Sequence, residues 1–468
     1  MAGFNTSTHL RRSGRLQSAN FAPASSFRGA LLYGATIVLS LAWAGGASAQ
    51  VIDQYLNAGI PGYDTQAGVT VTSRSRPEYD SPGVKLGNFV VSPSLEESFG
   101  YDDNVTGRSR GAGSALVQTN AAVGLAGGWS DTKFGAGLTL DDHEYLSETN
   151  QSFTNWSAAL GGSHEFGRDQ LSIGYTHLNL NQTPRDLDVP GLDQSIAYRV
   201  DDLRANYHID LGHIFIQPGL DVSYYSFDNG RAGGQTYLQN YRDRVVLSPE
   251  LVGSYEFATR RRVVVILRDT QSDFDHAPPG AARQNFNDVS ALAGISYDAD
   301  GIVSFRLLAG YEHRSFASSQ YRTISAPIVE GSVSWTPTGL TTITGTAARY
   351  IEDSAAEATT GFTETALKLQ ADHELFRNVI LSAHASFFID DYTSNRGSNG
   401  GSQDYFTGGV GTSYALTRRL RLGVDYTYST RHASGAGAPV DAFQLQGNTI
   451  FGGNYSENTF RVTVRVAL

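Results

Sequence analysis

The chemistry open to this chain depends first on its few clusters of polar side chains. The run YDDN, Tyr101 to Asn104, offers carboxylate and amide oxygens of the kind that bind a divalent cation. A calcium loop of the EF-hand type also needs ligands at regular spacing and a closing glutamate, which this run lacks. Its composition is that of an Asp/Asn-rich turn, and we adopt that interpretation.

Two other runs could supply an acid–base pair. DDHEYL, which begins at Asp141, brings two aspartates, a histidine and a glutamate together, and IDDY, which begins at Ile389, is a conceivable partner. Catalysis would require the two runs to lie on facing elements within hydrogen-bonding distance, which spacing alone does not show. The default interpretation is carboxylates at a rim that bind water or bridging cations. We predict no catalytic residue, no metal site and no cofactor.

The composition and the motifs that are missing exclude several other classes of protein. The 468 residues contain no H-E-x-x-H and no Walker loop, so the common metalloprotease and nucleotidase sites are missing. The run GRSRG, Gly107 to Gly111, matches the letters of G-x-S-x-G, but it lies in a loop between two predicted strands and lacks the strand-to-helix setting of a nucleophile elbow. Cysteine is absent, which rules out disulfides and thiolate metal sites. The formal net charge of −11 argues against a nucleic-acid partner, because phosphate binding needs a concentrated basic patch.

The elements that must position these residues are indicated by a recurring hairpin. From Leu86 onward, apolar and polar residues alternate, and two alternating runs flank a short turn in each unit. Clear examples begin at Val252, Ala293, Gly331 and Gln370. From Val252 the units recur about every 40 residues, and a β-propeller would pack four strands into each such repeat instead of two long ones.

The connections between hairpins predict the kind of sheet. Tight turns alternate with long polar segments such as QTPRDLDVPGLDQ and RHASGAGAPVDA. This asymmetry is typical of an outer-membrane barrel, which has short periplasmic turns and long extracellular loops. We therefore predict an all-β, antiparallel, up-and-down transmembrane barrel of about 18 strands, with 16 as the alternative. The segment FQLQGNTIFGG from Phe443 is ambiguous between loop and strand. The predicted strands begin near Phe89, Leu116, Phe134, Phe153, Leu171, Tyr198, Ile214, Val245, Val263, Val289, Ile302, Ile328, Thr342, Thr363, Val379, Phe406, Leu420 and Tyr455.

The last strand shows which face should meet lipid. Every second residue is apolar, and the intervening positions include Arg461 and Arg465. An unpaired backbone group in hydrocarbon costs several kcal/mol, so a membrane sheet must close on itself. A charge on the lipid face near the bilayer centre would cost roughly 2–4 kcal/mol, which places the arginines in the lumen. The predicted lipid-facing assembly strand consists of Phe460, Val462, Val464, Val466 and Leu468.

The same alternation assigns charged side chains of other strands to the lumen. Arginines opposed by carboxylates create a transverse field that can orient polar solutes and select them by charge. The other interpretation is that these groups pair with one another and line a wet or plugged interior. The predicted lumen-lining residues are Arg204, His208, Arg306, Glu312, Arg314, Lys368, Arg421, Asp425, Arg461 and Arg465.

The N-terminus has the features of an export signal. Basic residues precede the apolar run ALLYGATIVLSLAWA, and ASAQ supplies a small-x-small cleavage pattern. We predict a cleaved signal peptide over residues 1–49, with cleavage between Ala49 and Gln50; the alternative is a retained anchor. Residues 50–85 are expected to form a periplasmic N-terminal segment, and residues 86–468 the barrel.

The opening of the barrel region carries a family resemblance. LGNFVVSPSLEESFGYDDNVTG, Leu86 to Gly107, has a Gly-x-Phe entry, Pro93 within the strand and an acidic exit to a loop. It resembles the putative β-barrel porin 2 family of bacterial outer-membrane proteins. The resemblance implies a barrel over nearly all of the mature chain, porin-like character and, in some members, an association with exopolysaccharide export. Barrel proteins often end in Phe, whereas this chain ends in Leu468, so recognition by the assembly machinery is expected to be weaker.

Three functions remain open on sequence alone. The first is a porin-like channel in the outer membrane of a Gram-negative cell, passing small polar or charged solutes passively. The second is the exit barrel of an exopolysaccharide secretion system, and the third is a closed structural or surface barrel. None is an enzyme. The expected partners are outer-membrane lipid, lipopolysaccharide, the barrel-assembly machinery and either small solutes or polysaccharide, with no nucleic acid.

Overall fold

The structure is a computed structural model that describes residues 69–186, 194–232, 234–299, 301–354, 359–394, 399–434 and 453–468. The predicted signal peptide, its cleavage site and nearly all of FQLQGNTIFGG lie outside the described residues. Most of the described chain is β-strand. Within it, no helix has both the length and the apolar character needed to cross a membrane.

Long strands alternate with turns and loops along the described chain. In order, the strands are β1 (Val84–Leu86), β2 (Phe89–Asp102), β3 (Ser114–Trp129), β4 (Thr132–Tyr145), β5 (Phe153–Phe166), β6 (Asp169–Gln182), β7 (Ile196–Asp210), β8 (Ile214–Phe227), β9 (Gly230–Ala232), β10 (Gln235–Tyr237), β11 (Arg244–Ala258), β12 (Arg261–Phe274), β13 (Phe286–Ala299), β14 (Val303–Phe316), β15 (Ile324–Thr338), β16 (Thr341–Glu352), β17 (Thr359–Phe376), β18 (Val379–Ser394), β19 (Asn399–Ala415), β20 (Leu420–Ser434) and β21 (Tyr455–Ala467). Two short 3₁₀ turns, Thr149–Gln151 and Asn240–Arg242, lie in the connections.

The long strands close into a barrel. Each long strand pairs antiparallel with its neighbour along the chain, and β21 pairs with β2 from Ser94 opposite Ala467 to Asp102 opposite Thr459. The short strand β1 pairs with the start of β2, and β9 pairs with β10 in a separate hairpin. Closure removes the free sheet edges that hydrocarbon would not tolerate. The prediction of an 18-stranded antiparallel barrel is therefore confirmed.

The two ends of the barrel differ in the length of their connections. At one end the turns are short, such as 130–131 between β3 and β4 and 167–168 between β5 and β6. Gly167 has a φ of 71°, a left-handed conformation that glycine adopts without a side-chain clash. We call this the turn end. The opposite loop end carries longer connections, including 103–113, 183–195 and 228–243, and both ends of the barrel sequence lie at the turn end.

The wall of the barrel is apolar outside and largely polar inside. On β21, Phe460 is 49% exposed, whereas Arg461 is 3% exposed. On β7, Leu203 is 48% exposed and its neighbour Asp202 is 2% exposed. A soluble sandwich would bury the leucine and expose the aspartate, so this arrangement is that of a sheet whose outer face meets lipid.

Aromatic side chains mark the turn end of the outer face. Large rings at the ends of successive strands are exposed there, in the position of an interfacial girdle. The exposed aromatic side chains near this end are Trp129, Phe166, Tyr255, Phe257, Trp335, Phe376 and Tyr414. This belt is where the apolar surface gives way to the membrane–water boundary.

One carboxylate interrupts the lipid face close to the closure seam. Glu97 on β2 lies opposite Val464 on β21 and Thr119 on β3, between the exposed Leu95 and Phe99. The Thr119 hydroxyl donates to Glu97 with its Oγ1 3.0 Å and 3.1 Å from the two carboxylate oxygens. One hydroxyl satisfies little of a carboxylate in an apolar surface, so this position costs stability.

Replacing Glu97 with leucine is expected to stabilise the barrel. Carboxylates on the lipid face cost less than the roughly 2–4 kcal/mol of Arg or Lys at the midplane, so a gain of about 1–2 kcal/mol is expected. The measurement is the unfolding midpoint of the refolded barrel, read from heat-modifiable migration on gels. Glu144→Leu is the matched control, because Glu144 lies outward near the loop end of β4, where the cost of charge is small. Equal shifts for both variants would contradict a depth-dependent cost at Glu97.

Candidate functional site: the barrel lumen

The segment that precedes the barrel is held against the inner wall at the turn end. The backbone N–H of Val71 donates to the hydroxyl of Thr342 on β16 at 2.9 Å. The guanidinium of Arg76, which is 5% exposed, pairs with Glu374 on β17 at 2.8 Å. Further along, Asp80 pairs with Arg421 on β20 at 3.4 Å. We call residues 69–83 the entry segment; a hydrogen bond fixes it to β16, and ion pairs fix it to β17 and β20.

A row of cations and hydroxyls follows the inner wall from β12 to β17. Its members are directly opposite one another in the strand register, so neighbouring Cβ atoms are about 5 Å apart. In order, the row consists of Arg262, Ser296, Arg306, Ser332, Thr346 and Lys368. We call it the cationic row. The members lie on the inner face because side chains alternate between the two faces of a strand. Their neighbours along the same strands, such as Leu307 beside Arg306 and Leu369 beside Lys368, are exposed apolar residues of the outer face.

The members of the cationic row differ in how far their charge is neutralised. Arg262 pairs with Glu256 across the strand pair at 3.1 Å. Arg306 is exposed to the lumen and, within the described chain, forms no ion pair. The ammonium of Lys368 lies 5.6 Å from the centre of the Phe388 ring, a cation–π contact that leaves the full charge in place. Within the cationic row, Arg306 and Lys368 therefore keep positive charges that no ion pair of the described chain neutralises.

The facing wall near the seam holds a paired network instead. Arg461 on β21 donates to Asp425 on β20 at 2.9 Å and to Gln118 on β3 at 2.9 Å. Gln118 in turn donates to Asp141 on β4 at 2.8 Å, and His143 lies 3.1 Å from the same carboxylate. Opposite charges here are neutralised in place, which fixes side-chain positions across the closure of the barrel.

Towards the loop end, part of a loop folds into the lumen. The turn Thr183–Asp186, which follows β6, places Arg185 between distant strands, and we call these four residues the strap. The Arg185 guanidinium lies 2.7 Å from Asp102 at the end of β2 and 2.9 Å from Glu457 on β21. It also donates to the Tyr145 hydroxyl at 2.8 Å. The strap thus bridges β2, β4 and β21 inside the barrel.

A second arginine holds the backbone of the strap. Arg431 on β20 is 1% exposed and donates to the carbonyl oxygens of Arg185 at 3.1 Å and Asp186 at 2.8 Å. The Tyr455 hydroxyl donates to the Arg185 carbonyl at 3.0 Å. Buried arginines that bind several acceptors at once are strongly directional, so the strap has one defined position.

A third cluster joins a different loop to the wall. Arg314 on β14 pairs with Asp288 on β13 at 2.9 Å and with Asp353, just beyond β16, at 2.6 Å. Asp353 also lies 3.3 Å from Arg244 on β11. The backbone N–H of Ile351 donates to Glu312 at 3.0 Å. The loop end is therefore braced by charged groups on both sides of the barrel.

All ten residues predicted to line the lumen lie on the inner face of the strand register. The structure brings Asp425 and Arg461 together, and it places Arg465 directly opposite Glu96. Arg204 pairs with Asp221 at 2.6 Å, and the His208 ring stacks on Phe215 with their centres 5.8 Å apart. The structure shows where these ten side chains lie, and their role in selecting solutes stays a prediction.

The polar runs singled out in the sequence serve as ties between strands and loops. In YDDN, Asp102 accepts from Arg185, and Asp103 accepts from the backbone N–H of Asn458 at 2.7 Å. In DDHEYL, Asp141 and His143 point inward, whereas Asp142 lies on the outer face and accepts from Thr154. IDDY lies on β18, which does not pair with β4, since β3, β2, β21, β20 and β19 lie between them along the sheet; Asp390 lies opposite Glu364 on β17.

The residues that sequence reasoning missed are those with long-range partners. Arg185 and Arg76 lie in irregular segments where no alternation assigns a face, and Arg431 lies near a strand end. The available signal for Arg185 was an arginine after proline in a long polar loop, which predicts a turn and says nothing about direction. The alternation of β12 would have assigned Arg262 to the inner face.

Comparison with known proteins gives one family match. The family model for Putative beta-barrel porin 2 matches residues 76–466, nearly the whole described barrel. No curated protein matches the chain.

Several solved structures match most of this chain at low sequence identity. OccK2 (OpdF) of Pseudomonas aeruginosa is 12% identical with a TM-score of 0.42, covering 82% of this chain and 99% of that one. OpdK of the same organism, solved with vanillate, is 11% identical with a TM-score of 0.42, covering 82% and 100%. The FrpB iron transporter of Neisseria meningitidis is 10% identical with a TM-score of 0.41, covering 82% and 83%. At identities this low, the substrates of these proteins are not assigned to this chain.

Proposed function

Since the chain belongs to the Putative beta-barrel porin 2 family and is a porin-like outer-membrane barrel, we propose that it is a channel for the passive passage of small polar solutes, with a preference for anions. The turn end then faces the periplasm and the loop end the cell exterior. The observation that carries the proposal is the cationic row, in which Arg306 and Lys368 keep their charge on an accessible inner wall.

The field across the lumen supports a preference for anions. Near the seam, positive charges are paired, as in Arg461 with Asp425, so that wall contributes little net charge. On the opposite wall the charges of Arg306 and Lys368 remain uncompensated by ion pairs within the described chain. Low-dielectric walls focus such a field and raise the local concentration of counter-ions.

The strap limits the size of the solute. A loop that crosses from β6 to β2 and β21 occupies space that a polymer would need, and its anchors are buried ion pairs. This arrangement favours a channel for small solutes over an exit barrel for polysaccharide. The same arrangement is compatible with the closed-barrel alternative, which predicts no conductance at all.

Neutralising the row is expected to reduce anion preference. In the double variant Arg306→Gln/Lys368→Gln, two uncompensated positive charges leave the lumen, so the chloride-to-potassium permeability ratio should fall severalfold. The measurement is the reversal potential of single channels in planar bilayers under a KCl gradient. Arg461→Gln/Arg465→Gln tests the facing wall and should also shift the ratio towards cations, because Asp425 and Glu96 stay behind.

A control separates charge in the lumen from charge in general. Arg168→Gln removes an exposed arginine in the turn between β5 and β6, outside the lumen, and should leave the ratio unchanged. A silent wild-type barrel in the bilayer would count against the channel. An open channel whose ratio is unchanged in both double variants would count against selection by these side chains.

A further inference from the structure

A patch of short hydroxyl side chains surrounds one arginine on the inner wall of β13 to β16. Arg306 lies directly opposite Ser296 on one side and Ser332 on the other. These residues border a cavity of about 490 Å³ near the turn end. The hydroxyl side chains that line the cavity are Ser296, Ser304, Ser332, Ser334, Thr344 and Thr346.

The hydroxyls are available to a solute. Ser332 and Thr346 are exposed to the lumen, and so is Arg306. Each hydroxyl can donate one hydrogen bond and accept others, and the guanidinium offers a planar set of donors that matches a carboxylate. Short side chains on the wall also let the longer Arg306 extend over them. The patch therefore combines one anion-binding group with many neutral partners.

A carboxylate at the edge of the cavity narrows the choice of ligand. Asp298 lines the same cavity, two residues along β13 from Ser296. The other charged residues at the cavity are Arg262, which is paired with Glu256, and Arg260 in the turn before β12. Asp298 would repel a second negative charge, whereas it accepts hydrogen bonds from hydroxyl groups. The cavity is thus matched to a solute with one anionic end and one end rich in hydroxyls.

We propose that this cavity is a binding site for monosaccharide acids, in which Arg306 binds the carboxylate and the serine and threonine hydroxyls, with Asp298, bind the hydroxyl groups. The inference rests on the proposed function, since it names the solute class that the channel would select. Volumes of 300 to 1,000 Å³ are usual for small-molecule sites, and one monosaccharide acid with accompanying water fits such a space.

The test is equilibrium binding to the purified, refolded barrel in detergent micelles, measured by calorimetry with glucuronate, glucose and acetate. Glucuronate is expected to bind at least about tenfold more tightly than glucose, which lacks the charge, or acetate, which lacks the hydroxyls. In Arg306→Gln, glucuronate should bind no better than glucose. In Ser332→Ala/Thr346→Val, glucuronate should weaken severalfold while acetate stays the same. Heat-modifiable migration verifies that each variant is folded.

The outcomes separate this inference from the proposed function. Because binding in micelles requires no ion flow, a barrel that binds glucuronate but conducts nothing in bilayers overturns the channel and keeps the site. A conducting barrel that binds acetate as tightly as glucuronate overturns the site and keeps the channel. Retention of full glucuronate affinity in Arg306→Gln would also overturn the site. Lys133→Gln, on the distant strand β4, is the control and should bind glucuronate like the wild type.

Discussion

Replacing Arg185 with alanine is expected to release the strap from the lumen and to give a larger single-channel conductance. The substitution removes the only described cation that pairs with both Asp102 and Glu457, which are 1% and 3% exposed. Removing one partner of a buried ion pair costs about 3–5 kcal/mol, because a buried charge is left uncompensated. Since each 1.4 kcal/mol is a factor of ten, the docked strap should lose most of its population.

Conductance and stability together test this expectation. Conductance is measured in planar bilayers, and stability is measured as the unfolding midpoint of the refolded barrel. Arg168→Ala is the matched control, because Arg168 forms an exposed pair with Asp210 worth at most about 1 kcal/mol. Adding Asp102→Asn and Glu457→Gln to Arg185→Ala removes the uncompensated charges, so stability should recover while conductance stays high. Unchanged conductance and stability in Arg185→Ala would contradict the role given to the strap.

The barrel itself was largely predictable from the sequence, because a membrane sheet repeats one simple pattern. Predicted and observed strands begin at the same residue in six cases, at Phe89, Phe153, Ile214, Val379, Leu420 and Tyr455. The largest error is at β19, predicted from Phe406 and observed from Asn399. The glycines and polar residues before Phe406 resemble a loop, yet backbone pairing with β18 and β20 extends the strand through part of them.

The face of each side chain was also predictable, whereas its partner was not. Alternation assigns Arg461 to the inner face, but it does not reveal Asp425 or Gln118 as neighbours, since register between strands depends on the whole barrel. The position of the strap was even less predictable from the sequence. Arg185 bonds to residues 83 and 272 positions away, and only the closed barrel brings those strands together. Nothing local distinguishes a loop that folds inward from one that extends outward.

The strap should also respond to pH through Asp186. Burial raises the pKa of the Asp186 carboxyl from 3.8 to about 6, although the backbone N–H of Thr183 and the charges of Arg185 and Arg431 lower it. A carboxyl whose pKa is raised in the docked state binds its proton more tightly there, so docking strengthens as the pH falls through 6. With an undocked pKa near 3.8, the docked-to-undocked ratio should rise about tenfold between pH 7.5 and pH 5. The channel should therefore conduct less at pH 5.

Asp186→Asn separates this carboxyl from the other groups around the strap. The asparagine is neutral at every pH, so the variant should lack the part of the pH response that Asp186 contributes and should resemble the wild type at pH 5. Around the strap, the guanidiniums of Arg185 and Arg431 and the phenols of Tyr198, Tyr405 and Tyr455 have ordinary pKa values near 10 or above, so they keep one state over this range. The carboxyls of Asp102 and Glu457, which pair with Arg185, are unchanged in Asp186→Asn, so any response of theirs stays in the variant. The measurement is open-state current at pH 7.5, 6 and 5. If Asp186→Asn shows the same fall in current as the wild type, the response originates elsewhere in the lumen, and the strap does not sense pH through this carboxyl.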